Sequence, residues 1–174
     1  MVSDLLNQGL RDSPLTILLF GPQLKVPSDN EHDLRLQDKR RQVKLDLEGN
    51  GHVVVLIEDE IDGSLPPPLN NSWVQELTIL QELDRYDLIV SLVHSPGTNI
   101  ELGVISSKRE VAAKSHLFLS SAYKGSAAHE ACLAAQLQGA VFSEYEYPKD
   151  LLECHLVGMV RAKVHAVQIG KFLM

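Results

Sequence analysis

The sequence predicts an α/β fold of three layers: a five-stranded parallel sheet in the order 2-1-3-4-5, with helices on both faces. Three observations predict it. Short apolar runs recur at residues 15–20, 52–57, 87–92 and 115–120, and a last one begins at 140–142; unbroken runs of that kind suit strands buried on both faces. Each is followed by a stretch of helical length, and strands joined by right-handed helical crossovers pair in parallel. Finally, 174 residues are enough for one well-packed core and too few for two ordinary domains, so residues 1–174 are read as a single domain.

The elements follow in order. Leu15-Thr16-Ile17-Leu18-Leu19-Phe20 is the first strand, ended by Gly21-Pro22, and residues 23–32 are a polar loop. Leu36, Val43 and Leu47 among charges predict an amphipathic helix over about 34–47, stopped by Gly49-Asn50-Gly51. The second strand ends at Glu58-Asp59-Glu60, three acids that read as a solvated strand end. Pro66-Pro67-Pro68 makes residues 63–71 an exposed loop. Ser72 and Gln75 form a Ser-x-x-Gln capping box for a helix from Trp73 to about Leu83. Trp73 reads as a partly buried core residue that could alternatively stack a base. Strand three runs into His94-Ser95-Pro96-Gly97-Thr98-Asn99, and one helix is expected over 100–114. After strand four come a helix over 125–138 ended by Gly139, strand five, and a long helix from Pro148 to about Gly170.

Charge and composition exclude several classes. A net charge of -7 argues against a nucleic-acid partner, since phosphate affinity needs clustered cations. Lys39-Arg40-Arg41 and Lys108-Arg109 read as solvated helix faces, although Arg40 or Arg41 could reach a phosphate. Cys132 and Cys154 form no zinc motif or disulfide framework, and His116 and His129 lack ligand spacing, so neither a metal nor a cofactor is expected. There is no Gly-x-Gly-x-x-Gly and no P-loop lysine. No signal peptide or membrane-length apolar run is visible, which predicts a cytoplasmic protein without a membrane partner. Ala127, Ala128, Ala131, Leu133, Ala134, Ala135 and Leu137 nearly encircle their helix, and a homodimer or higher homo-oligomer would cover it.

Ligands of such sheets bind at the C-terminal ends of the strands, near the point where strand order reverses. The loop from His94 to Asn99 falls there. A Gly97-Thr98 turn entering a helix presents backbone N–H groups to an anion or a sugar hydroxyl. Glu101, in the first helical turn, leans toward the same space, and Gly103 leaves room for a backbone or ligand. Thr98-x-x-Glu101 also reads as a capping box in which Glu101 only bonds the Thr98 amide. Gly21 and Pro22 would make the other wall.

The stretch from Tyr86 to Gly103, with Gly97-x-x-x-Glu101-x-Gly103 after the strand, resembles the nucleoside 2-deoxyribosyltransferase superfamily, which includes nucleotide N-glycosidases. TIR-like NAD-cleaving domains are similar in carrying a glutamate on the helix after a comparable strand. Pro96-Gly97-Thr98-Asn99-Ile100-Glu101 resembles the phosphoribohydrolase motif, with one glycine missing. The resemblance implies cleavage or transfer at the base–sugar bond of a nucleoside, nucleotide or NAD-like small molecule. Glu101 would be the nucleophile or cation stabiliser, and Gly21, Pro22, His94, Ser95, Gly97, Thr98 and Asn99 would hold substrate. His94 or an acid of Glu58-Asp59-Glu60 could protonate the leaving base. A nucleotide-binding module without catalysis is the alternative. One departure is visible: an aspartate usual in the helix before strand three is replaced by Ile79, with Glu76 one turn earlier, where it reads as a surface charge.

Overall fold

The computed structural model of the chain describes residues 13–94 and 99–173, together with residue 9. Five parallel strands lie in the order β2-β1-β3-β4-β5, as the sequence predicts: β1 (Thr16–Phe20), β2 (Val53–Val55), β3 (Leu88–Val93), β4 (Ser115–Ser120) and β5 (Val141–Tyr145). Strand order reverses between β1 and β3, where Leu18 pairs with Ile89 and Phe20 with Ser91. The helices are α1 (Glu31–Gly49), α2 (Ser72–Gln81), α3 (Asn99–Ser107), α4 (Arg109–Ala113), α5 (Ala127–Leu137), α6 (Lys149–Leu152) and α7 (His155–Leu173).

Two separate cores explain the unbroken apolar runs. Ile17 and Leu19 of β1 join Leu36, Val43 and Leu47 of α1 and Val160 and Val164 of α7 on one face. Leu18 and Phe20 point the other way, to Leu80 of α2, Leu102 and Ile105 of α3, and Cys132 of α5. Successive strand residues point to opposite faces, so a strand covered on both sides has no polar alternate positions left.

Several boundaries differ from the sequence reading. Asn30 caps α1, which starts at Glu31, because its side chain accepts from the Asp33 N–H. Asn71, not Ser72, caps α2 by accepting from the Trp73 N–H at 2.9 Å. The Gln75 amide is occupied elsewhere, donating to the carbonyls of Asp62 and Leu69. The helix expected over 100–114 is two helices, broken at Lys108, whose backbone is extended (φ -126°, ψ 112°). The closing helix is also divided, with Cys154 at φ 57° between α6 and α7. Helix α5 buries only Ala128, Cys132 and Ala135, and Leu137 is exposed. Trp73 is 54% exposed and lies outside the core. Among the described residues no helix is long and apolar enough to cross a membrane.

Candidate active site at the C-terminal edge of the sheet

Helix α1 buries His32, Leu36, Arg40, Val43 and Leu47, spaced so that they form one stripe down the helix. Arg40 therefore sits on the face turned to the core and is fully buried. It is not the solvated residue its basic neighbours suggest. β2 is cut short by a helical turn over Ile57–Asp59. That turn brings Glu58 inside while Asp59 and Glu60 stay exposed. Arg40 and Glu58 meet in a two-pronged ion pair, Nη1 to Oε1 at 2.5 Å and Nη2 to Oε2 at 2.9 Å. The same nitrogens donate to the carbonyls of Pro22 (3.0 Å) and Leu19 (2.7 Å). Arg40 is thus anchored to the end of β1, and its Nε has no partner among the described residues.

Gly21 makes this approach feasible. A Cβ built there would lie 2.9 Å from Arg40 Cδ and 3.2 Å from its Nε. The guanidinium, held on four acceptor atoms, cannot swing aside. Gly21→Ala is expected to destabilise the fold by about 1–3 kcal/mol, the usual cost of overpacking. A urea midpoint equal to the parent's would show that Arg40 moves freely.

Two further carboxyl groups converge on the pair. Glu76 occupies the inward side of α2 with Ile79 and Leu80, and is half-buried. Burial raises its pKa, and the Glu58 charge adds to the rise. Glu101, in the first turn of α3, has its Oε2 buried without a partner among the described residues. Burial pushes its pKa up to about 8; Arg40 pulls it down, and Glu76 and Glu58 push it further up. The arrangement is one guanidinium among three carboxyl groups. Burial outweighs the pull of Arg40, which is already paired with Glu58, so the Glu101 carboxyl favours its protonated form near neutral pH.

His94 ends β3 beside this cluster. Burial lowers its pKa, Asp33 opposes the shift, and Arg40 and His32 reinforce it. At the far end of the edge, His32 Nε2 shares a hydrogen bond of 3.1 Å with the Tyr145 hydroxyl. Its ring lies 5.4 Å from Tyr123 and 4.8 Å from Tyr147. Tyr123 and Tyr147 are half-buried.

Of the residues named from sequence, Glu101, Gly21, Pro22 and His94 fall in this region. Gly21 and Pro22 act through Arg40, by leaving space and by accepting a hydrogen bond. Ser95, Pro96, Gly97 and Thr98 lie outside the described residues, as does the Asn99 side chain. Gly103 faces open space: a Cβ placed there would meet no atom within 4 Å among the described residues. Arg40, Glu58 and Glu76 were weighed from sequence but read as solvated charges, which their burial overturns, and His32 and the tyrosines were not singled out.

A cavity of about 850 Å³ lies at the opposite edge of the sheet, between the Gly49–Gly51 turn and α7. Three of its polar side chains already have partners. His52 Nδ1 accepts from the Leu15 N–H, Arg161 is paired with Asp46, and Gln168 donates to the Ser13 carbonyl. The unmatched charge lies at the C-terminal edge, which is the better candidate for chemistry. No family model matches the chain, and no curated protein matches it.

Proposed function

We propose that the protein breaks the N-glycosidic bond between a base and a sugar, with Glu101 acting at the anomeric carbon. The observation that carries this reading is the buried carboxyl oxygen of Glu101, which has no partner among the described residues and is set at the sheet edge where such folds take ligands. The resemblance of residues 86–103 to nucleoside 2-deoxyribosyltransferases and nucleotide N-glycosidases supports it.

The chemistry asks little of the protein. As the bond lengthens, positive charge develops on the sugar ring, and a carboxylate beneath it stabilises that charge. The Glu101 oxygen then bonds to the anomeric carbon as its proton passes to the base, which leaves with the electron pair of the broken bond. Water hydrolyses the resulting glycosyl ester and restores the acid. Arg40, held by Glu58 and the end of β1, sets the electrostatic balance at Glu101. Both cysteines are free thiols, which suits a reducing, cytoplasmic setting.

The test is to incubate the protein with nucleosides, nucleoside monophosphates and NAD, and to separate any free base by chromatography. Base release proportional to protein concentration is expected for one of these classes. Tight binding with no release would replace the enzyme with a nucleotide-binding module.

A further inference from the structure

We propose that the site selects an N-glycoside whose base carries a fixed positive charge, such as a quaternised pyridine or purine ring, on a sugar without phosphate. This rests on the N-glycosidase reading and adds the substrate class.

The charges that face Glu101 come from three elements: Arg40 from α1, Glu58 from the turn after β2, and Glu76 from α2. Asp33 lies within electrostatic reach of His94 in the same region. Arg40 cannot serve an anionic ligand with its terminal nitrogens, because both are already committed to Glu58, Leu19 and Pro22. Lys25, at the rim, donates to the Glu58 carbonyl. The described part of the site therefore carries carboxyl groups in excess. Such a site repels a phosphate and attracts a cation. Tyr123 and Tyr147, half-buried at the other end of the edge, suit the same kind of group, because an aromatic face is electron-rich.

A cationic base also matches the chemistry. Its bond to the anomeric carbon breaks with both electrons moving to the ring nitrogen, so the ring leaves neutral and takes up no proton. Glu101 must be ionised to attack, and the positive charge of the bound base takes the place of the proton it loses. Hydrolysis of the ester consumes one water and returns the sugar, the Glu101 carboxylate and one proton. Binding of the cation should accordingly release a proton to solvent.

The experiment compares matched pairs on the full chain by calorimetry and base release: N7-methylguanosine with guanosine, and nicotinamide riboside with its 5′-phosphate. The cationic, unphosphorylated member of each pair is expected to bind about tenfold more tightly or better. Its measured heat should depend on the protonation enthalpy of the buffer. In Glu76→Gln, checked for folding by its melting temperature, the ratio within each pair should fall toward unity. Equal affinities within the pairs, or preference for the phosphate, would overturn the proposal. Base release from the neutral or phosphorylated members alone would leave the N-glycosidase reading standing and remove the charge preference. Tight binding of the cations without release would do the reverse, and neither binding nor release would end both.

Discussion

Glu101→Gln is expected to slow base release about a hundredfold, the usual cost of removing one preorganised charge from a transition state. The same substitution should make the protein more stable at alkaline pH. In the folded chain the carboxyl holds its proton up to about 8, against an ordinary value of 4.5. Below the ordinary value, folded and unfolded chains both carry the proton, and the substitution has no electrostatic effect. As pH rises from there toward 8, the unfolded chain gives up the proton first, which favours unfolding. Each unit of pH costs the parent up to about 1.4 kcal/mol, and the total is on the order of 5 kcal/mol. Glutamine has no proton to lose. The melting temperature of the variant should therefore match the parent near pH 4, pull ahead up to about pH 8 and keep a constant lead above it. A lead that does not change with pH would mean that the Glu101 carboxyl is solvated. An unchanged rate of base release would mean that it only caps its helix.

Arg40→Ala is expected to cost about 3–5 kcal/mol, the range for breaking a buried ion pair from one side. Glu58, 4% exposed, would be left with an uncompensated charge, and the Leu19 and Pro22 carbonyls would each lose a donor. Arg40→Met combined with Glu58→Leu removes both charges and fills the space, so it should recover most of the loss. Chemical denaturation of the parent and these variants measures this directly. If Arg40→Ala costs less than about 1 kcal/mol, the pair behaves as a solvated surface contact and does not anchor β1.

The sheet was legible because strands buried on both faces leave a continuous apolar run, and because Gly21-Pro22 and Gly139 mark clear ends. The breaks at Lys108 and Cys154 were not, since neither carries glycine or proline and tertiary packing decides where the chain turns. Arg40 was legible in principle. It falls at the core-facing spacing set by Leu36, Val43 and Leu47, but Lys39 and Arg41 on either side made the trio read as a solvated cluster. Glu76 carries the same signal beside Ile79 and Leu80. Glu58 does not, because a single turn of backbone selects it over Asp59 and Glu60, and all three acids look alike in sequence. The contact of His32 with Tyr145 joins opposite ends of the chain, and no local pattern announces it. Glu101 was named from its position after strand three and from the resemblance of residues 86–103, and the structure buries its carboxyl.

The two ends of this edge differ in how much chain each must gather. Arg40 and Glu58 are 18 residues apart, whereas His32 and Tyr145 are separated by 113. Contacts of short separation form early, and distant ones wait for the intervening chain to be ordered. During synthesis, β1, α1 and β2 can close around the ion pair before β3 exists, while the aromatic end waits for the last strand. The Arg40–Glu58 pair can thus form early, and Glu76 and Glu101 join it only as α2 and α3 are added. The aromatic end is completed only when β5 has been made, so an unfinished chain lacks the hydrogen bond that ties the start of α1 to the last strand.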